Sequence, residues 1–132
     1  MNSRHRVFPG KELIVVDAHG SADLKATRAL IGQITTTPGY DKEFEILLDL
    51  RELTCEISTV GMYELATWMA PPHPALPTRR KIAIVKSDGA EFNETQFFAL
   101  CARNRGLRTR VFRTIEEAGE WLDVSLNGEV DD

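Results

Sequence analysis

The chain has 132 residues, of which 42% are hydrophobic and 27% are charged, and its formal net charge at neutral pH is −4. This size and composition fit one globular domain over residues 1–132 and exclude a disordered chain, a collagen-like repeat and a disulfide scaffold. No apolar run approaches the roughly 18–20 residues of a membrane-spanning helix, and the mildly acidic total disfavours nucleic-acid binding.

Cysteine usage and the N-terminus bear on the cellular compartment. Cys55 and Cys101 show neither CxxC nor zinc-ligand spacing. No long apolar stretch follows the first residues, so we see no secretory signal. Two isolated thiols in such a chain are typical of a reducing compartment. The sequence therefore predicts a cytoplasmic protein without a metal site.

Short apolar runs predict the β-strands. Four of them have strand length, at residues 13–16, 46–48, 82–85 and 111–112. The first three are continuous rather than alternating, which is typical of strands buried on both faces of a parallel sheet. The second is expected to end at Arg51. Residues 6–8 precede a Pro-Gly turn and predict an additional antiparallel edge strand.

A stretch with helical periodicity follows each of the four runs. Ser21 and Ser58 are the expected N-caps of the first two helices, and Asp88 or Asn93 has the capping-box spacing for the third. The fourth begins with a capping box at Thr114. The residues expected to face the core are Leu24, Leu30, Ile31 and Ile34, then Met62, Leu65, Ala66 and Met69, then Phe97, Leu100 and Cys101, and finally Ile115, Ala118, Trp121 and Leu122.

Strand–helix alternation predicts an α/β fold of about four repeats with a mainly parallel, mixed sheet. The core is expected over about residues 7–122, with a polar, acidic tail at 123–132. The segment 71–77 holds four prolines. We interpret it either as a stiff crossover or as an exposed apolar site for a partner or a lipid.

The pattern resembles the STAS domain family, and most closely its SpoIIAA-like branch, which is grouped with the CRAL-TRIO lipid-binding fold. The resemblance rests on residues 47–50, 57–59, 81–85, 111–112 and 116–122. It implies binding rather than catalysis. In partner-switching members a serine of an Asp-Ser-Ser-Gly motif opens the second helix and is phosphorylated by a kinase.

Two residues of this chain match the serines of that motif. Ser58 matches the first serine and Thr59 is a conservative match to the second, whereas Ile57 replaces the acid and Val60 replaces the glycine. The resemblance implies a phosphoacceptor at Ser58. The residues alone also fit a plain N-cap, and a phosphate there would lie at the positive end of the helix dipole.

Polar residues are expected where the parallel strands end, which is where ligands bind in open α/β sheets. They are Asp17, His19, Asp49, Arg51, Lys86 and Asp88. His19 with an aspartate could form a general-base pair of a hydrolase. The alternative is that these residues only end the strands. No phosphate loop, nucleophile elbow or metal cluster is present.

Basic residues are expected at the opposite end of the sheet, where helices end and strands begin. They are Arg79, Arg80, Lys81, Arg103, Arg105, Arg108 and Arg110. One interpretation is a docking face for an acidic protein or an anionic lipid surface. The other is that these cations complement helix dipoles and keep the surface soluble.

Together these patterns predict a non-enzymatic STAS-like module that acts through protein–protein contacts, with no catalytic residue and no cofactor. The alternative is a domain that binds a small hydrophobic ligand or lipid. Self-association is a further expectation, because an edge strand and apolar helical faces are available.

Overall fold

A computed structural model describes residues 1–71, 80–87 and 89–126. In these ranges, an N-terminal hairpin of two strands is followed by four α-helices that alternate with three further strands. The strands are β1 (Asn2–Phe8), β2 (Leu13–Asp23), β3 (Glu45–Glu56), β4 (Lys81–Val85) and β5 (Arg108–Phe112). The helices are α1 (Leu24–Thr35), α2 (Thr59–Met69), α3 (Ala90–Asn104) and α4 (Ile115–Leu122). Over the described ranges, no helix combines the length and apolar character needed to cross a bilayer.

The sheet has the order β1-β2-β3-β4-β5, with β1 antiparallel to β2 and the other pairs parallel. The mixed α/β fold predicted from the sequence is therefore confirmed. A 3-10 turn at Pro9–Lys11 joins β1 to β2, and Glu12 leaves it with a φ of +50°. The antiparallel edge strand is longer than the segment 6–8 predicted from the sequence.

Helices cover the two faces of the sheet unequally. Leu30 of α1, Met62 of α2 and Phe98 of α3 belong to one buried cluster, together with alternate strand residues such as Ile46 and Ile82. The other face carries α4, whose buried residues pack with the intervening strand positions Leu13, Val15, Leu47, Ala83 and Val85. The alternation of strand side chains thus builds two cores on opposite sides of one sheet.

Strands β2 and β3 run well past the ends of β4 and β5. Their pairing continues from His19 with Glu52 to Asp23 with Glu56, after an irregularity between Asp17 and His19. The sequence predicted that these strands would end earlier, with Ser21 capping α1. Asp23 is the N-cap instead, and its carboxylate accepts a hydrogen bond of 2.8 Å from the amide of Ala26.

Helix α3 and the segment after α4 also differ from expectation. Phe97 and Leu100 are exposed, whereas Phe92 and Phe98 are buried. The helix begins after Gly89, so Asn93 lies inside it, and Asp88 lies outside the described residues. After α4, Val124 and Leu126 pack in the α4-side core although they were assigned to an acidic tail. Residues 72–79, which include most of the proline segment, and 127–132 lie outside the described ranges.

Candidate functional site

The start of α2 is a capped and tightly packed helix terminus. The hydroxyl of Ser58 accepts a hydrogen bond of 3.0 Å from the amide of Gly61, which satisfies one of the helix's first amides. A Cβ added at Gly61 would lie 2.7 Å from Cγ2 of Ile57, so the close approach of the chain here requires glycine. Ser58, Thr59 and Val60 are all exposed. Ser58 is thus the N-cap, and its role as a phosphoacceptor stays a prediction.

An ion pair supports the part of β3 that extends beyond β4. The ammonium of Lys86, which is only 3% exposed, donates hydrogen bonds to the carbonyls of Leu50, at 3.0 Å, and Leu53. It also lies 3.4 Å from the carboxylate of Glu91. Glu91 in turn accepts a hydrogen bond of 2.8 Å from the amide of Cys55. Two side chains therefore supply the hydrogen bonds that a longer β4 would otherwise have provided.

The aspartates predicted at the ends of β2 and β3 occupy paired positions, and arginines neutralise both of them. Arg51 forms a fork on Asp49, with its Nε and Nη2 at 2.9 and 2.8 Å from the two carboxylate oxygens. Asp17 lies 3.2 Å from Nη2 of Arg4 and 3.6 Å from Nη2 of Arg6 on the edge strand.

His19 is exposed and pairs across the ladder with Glu52 rather than with either aspartate. Asp17 and Asp49 both contact guanidinium groups, and Asp49 also accepts a hydrogen bond of 3.3 Å from the amide of Arg51. Among the described residues, no group of histidine, cysteine and acidic side chains is arranged to hold a metal ion. The structure therefore brings Asp17 and Asp49 onto neighbouring strands, but in charge-compensated pairs.

The predicted basic residues are distributed over both faces of the sheet. Lys81 donates a hydrogen bond of 2.6 Å to the carbonyl of Trp121, and the guanidinium of Arg110 lies 5.9 Å from the Trp121 ring, so both lie on the α4 side. Arg103 donates to the carbonyl of Thr109, and Arg105 stacks on Tyr63 of α2 on the opposite side.

The remaining members of this basic set have acidic neighbours or lie outside the described residues. Arg80 lies 3.6 Å from the carboxylate of Glu43. Arg80, Lys81 and Arg108 line a cleft of about 450 Å³ that also contains Glu12, Glu43, Glu45 and Asp123. Arg79 lies outside the described residues. The end of the sheet where the strands begin thus carries mixed charge.

An exposed apolar surface lies on α2 and α3, and the sequence analysis did not predict it. Val60 and Tyr63 on α2 are 66% and 51% exposed, and Phe97 and Leu100 on α3 are 37% and 49% exposed. Each pair has i, i+3 spacing and therefore forms a stripe along its helix. We call these four residues the α2–α3 surface. Phe98 next to Phe97 made the correct inward face of α3 ambiguous from sequence.

A small apolar cavity lies beneath the same helices, between them and the sheet. It has a volume of about 50 Å³, and its lining includes Ile31, Leu48, Cys55, Met62, Ile82 and Phe98. Burial raises the pKa of the Cys55 thiol; the nearby ammonium of Lys86 lowers it, and the carboxylates of Glu91 and Glu94 raise it further. The cavity is apolar enough for a hydrophobic ligand but is smaller than a benzene-sized cavity of roughly 150 Å³.

Comparison with solved structures identifies the architecture. An uncharacterized protein of the DUF3478 family from Shewanella loihica PV-4, described as having a SpoIIAA-like fold, superimposes with a TM-score of 0.51. The match covers 83% of each chain at 15% sequence identity. This chain has a SpoIIAA-like fold. No family model matches the sequence, and no curated protein matches it at significant similarity.

The SpoIIAA-like fold confirms the structural part of the resemblance seen in the sequence. It agrees with the mixed five-stranded sheet and its strand–helix repeats. In this SpoIIAA-like chain, Ser58 begins the helix that carries half of the α2–α3 surface. The position singled out by sequence and the exposed apolar residues therefore belong to one region of the molecule.

Proposed function

We propose that this SpoIIAA-like domain is a non-enzymatic binding module that acts through protein–protein contacts on the α2–α3 surface. The observation that carries the proposal is the exposure of Val60, Tyr63, Phe97 and Leu100 on two helices that pack side by side. Scattered exposed apolar residues are ordinary, but a contiguous set on neighbouring elements is typical of an interaction site.

The position of Arg105 supports the continuity of this surface across the two helices. Its guanidinium carbon lies 4.4 Å from the centroid of the Tyr63 ring, and its Nη1 donates a hydrogen bond of 3.0 Å to the carbonyl of Cys101. Tyr63 therefore lies beside the turn of α3 that contains Leu100 and Cys101. A Tyr ring held by an arginine loses little conformational freedom on binding, which favours its use as a contact residue.

Site-specific photo-crosslinking in extract of the native host tests this proposal. A photoreactive phenylalanine analogue replaces Phe97 in one variant and the exposed Glu120 of α4 in a matched control. We expect position 97, but not position 120, to form a covalent adduct with a second polypeptide. Adducts of equal yield from both positions, or none from position 97, would refute the proposal.

A second candidate function is the binding of a small hydrophobic ligand in the apolar cavity. Its support is the lining, which includes Ile31, Met62 and Phe98. Because the cavity measures about 50 Å³, it suits a small molecule rather than a lipid chain. Native mass spectrometry of freshly purified protein is the test. An additional mass that denaturation releases supports this function, and a bare protein mass under native conditions counts against it.

A further inference from the structure

Exposed carboxylates lie around the start of the two helices, whereas the cations next to them are held on aromatic rings, Arg113 on Phe92 at 4.1 Å and Arg105 on Tyr63 at 4.4 Å. Helix α2 contains Glu64 and no basic residue. Helix α3 has Glu91 in its first turn and Glu94 in its second, whereas its one basic residue is Arg103 in the last turn. Glu56 ends β3 two residues before the Ser58 cap. Glu56, Glu64 and Glu94 are all exposed.

These carboxylates lie close to the apolar stripes. Glu64 follows Val60 by one helical turn, and Glu94 precedes Phe97 by one helical turn. Glu94 also acts electrostatically on Cys55, which places its carboxylate near the junction of β3 and α2. Lys86 does not neutralise this group at the surface, because it is buried and directed to Leu50, Leu53 and Glu91.

The two helices also run parallel to each other. Each is the connection between two adjacent parallel strands, α2 between β3 and β4 and α3 between β4 and β5, so both run in the same direction. Their i, i+3 stripes therefore run in the same direction on neighbouring helices. A pair of parallel apolar stripes is the kind of surface that an amphipathic helix recognises with residues at similar spacing.

Resting on the proposed protein-binding function, we propose that the α2–α3 surface binds a basic amphipathic helix of a partner protein. The apolar face of that helix contacts Val60, Tyr63, Phe97 and Leu100. Its lysines or arginines face Glu56, Glu64 and Glu94. The complementary charges orient the helix and speed its association, while the apolar contacts supply most of the affinity.

The same charges oppose the alternative that this surface docks on a membrane. Anionic lipid surfaces attract basic residues and repel acidic ones. Exposed carboxylates around the apolar stripes would therefore weaken binding to such a surface. A peptide with a basic polar face avoids this repulsion and converts the carboxylates into favourable contacts.

Three synthetic peptides of about four helical turns serve as probes. They share one leucine face and carry lysine, glutamine or glutamate on the polar face. Binding is followed by fluorescence anisotropy against the wild type and the double variants Glu64→Gln/Glu94→Gln and Phe97→Ala/Leu100→Ala. The control is Glu116→Gln/Glu120→Gln, which removes two exposed acids from α4 on the other face of the sheet.

We expect the lysine peptide to bind the wild type at least about tenfold more tightly than the glutamate peptide. Glu64→Gln/Glu94→Gln should remove most of that preference, Phe97→Ala/Leu100→Ala should weaken all three peptides, and the α4 control should match the wild type. Circular dichroism of each variant verifies that it is folded.

Other results overturn the inference in distinguishable ways. Equal binding of the lysine and glutamate peptides, or equal effects of the two charge variants, refutes the basic partner. If crosslinking from position 97 still captures a polypeptide, the proposed function survives. Failure of all three peptides to bind also refutes the inference. Binding to vesicles rich in phosphatidylglycerol that Phe97→Ala/Leu100→Ala abolishes identifies a lipid surface instead.

Discussion

The ammonium of Lys86 lies 3.4 Å from the carboxylate of Glu91, at the point where β4 has ended and β3 continues. Lys86 donates hydrogen bonds to the carbonyls of Leu50 and Leu53, and Glu91 accepts one from the amide of Cys55. The pair thereby fixes the end of β3 and with it the start of α2. The exposed surface that we assign to a partner rests on this buried support.

Replacing Lys86 by methionine should destabilise the domain. The change keeps the length of the side chain but leaves two carbonyls and one carboxylate without their donor. We expect a loss of about 2–3 kcal/mol in the free energy of unfolding, measured with urea. Lys25→Met on the exposed side of α1 is the control and should stay within about 0.5 kcal/mol of the wild type. Equal stability of Lys86→Met and the wild type would contradict the support role.

The cap of α2 should contribute to stability separately from the close packing behind it. Ser58→Ala removes the acceptor of the Gly61 amide and should cost about 1 kcal/mol. Gly61→Ala should cost more, because its Cβ would meet Ile57 Cγ2 at 2.7 Å. Thr59→Ala at the exposed next position is the control. Thermal unfolding of the three variants gives the order, and a Gly61→Ala protein as stable as the wild type would refute the packing argument.

The thiol of Cys55 should ionise at higher pH than an ordinary cysteine. Burial raises its pKa, Lys86 lowers it, and Glu91 and Glu94 raise it further. In a Cys101→Ser background, the rate of alkylation by iodoacetamide should therefore rise only at a pH above that of a small free thiol. Glu94→Gln should move the profile to lower pH. A profile at or below that of the free thiol would show that burial does not control this group.

His5 should make the stability depend on pH in the mildly acidic range. Burial lowers its pKa below the ordinary value of 6.5, and this outweighs the opposing effect of Asp17. Below pH 6.5 the unfolded chain therefore binds more protons than the folded one. The free energy of unfolding is highest above that pH and declines as the pH falls through it.

Urea unfolding at several pH values tests the role of His5. We expect a steeper decline of stability below pH 6.5 in the wild type than in His5→Gln, because the variant lacks the titrating ring. His19→Gln, at an exposed position, serves as the control and should follow the wild type. Parallel pH profiles of His5→Gln and the wild type would rule out a contribution from this side chain.

The strands were predictable from sequence because their burial on both faces makes the apolar runs continuous. The lengths of β2 and β3 were not predictable, because the polar residues Glu52, Thr54 and Glu56 are exposed and interrupt the apolar pattern. Their pairing depends on β2 and on the side chains of Lys86 and Glu91, which come from distant parts of the chain. Local patterns carry no signal for such contacts.

The cap at Ser58 was predictable because capping is a local interaction between neighbouring residues. The α2–α3 surface was not predictable from sequence. Phe97 and Phe98 are equally apolar, and only the packing against the sheet determines which one is buried. Asp17 and Asp49 were expected at the same edge of the sheet, and Arg51 lies only two residues from Asp49, whereas the partners of Asp17 became apparent only with the strand order. Arg4 and Arg6 reach Asp17 from β1, across a hairpin.

The segment after α4 covers part of the core on the α4 side of the sheet. Val124 donates its amide hydrogen bond to the carbonyl of Gly119, and Leu126 lies in the same cluster as Leu13 and Leu47. A chain truncated after Leu122 would therefore expose apolar side chains on this face of the sheet, and we expect it to aggregate. Affinity tags and reporter fusions are better attached beyond residue 126, where they leave the packing of Val124 and Leu126 intact.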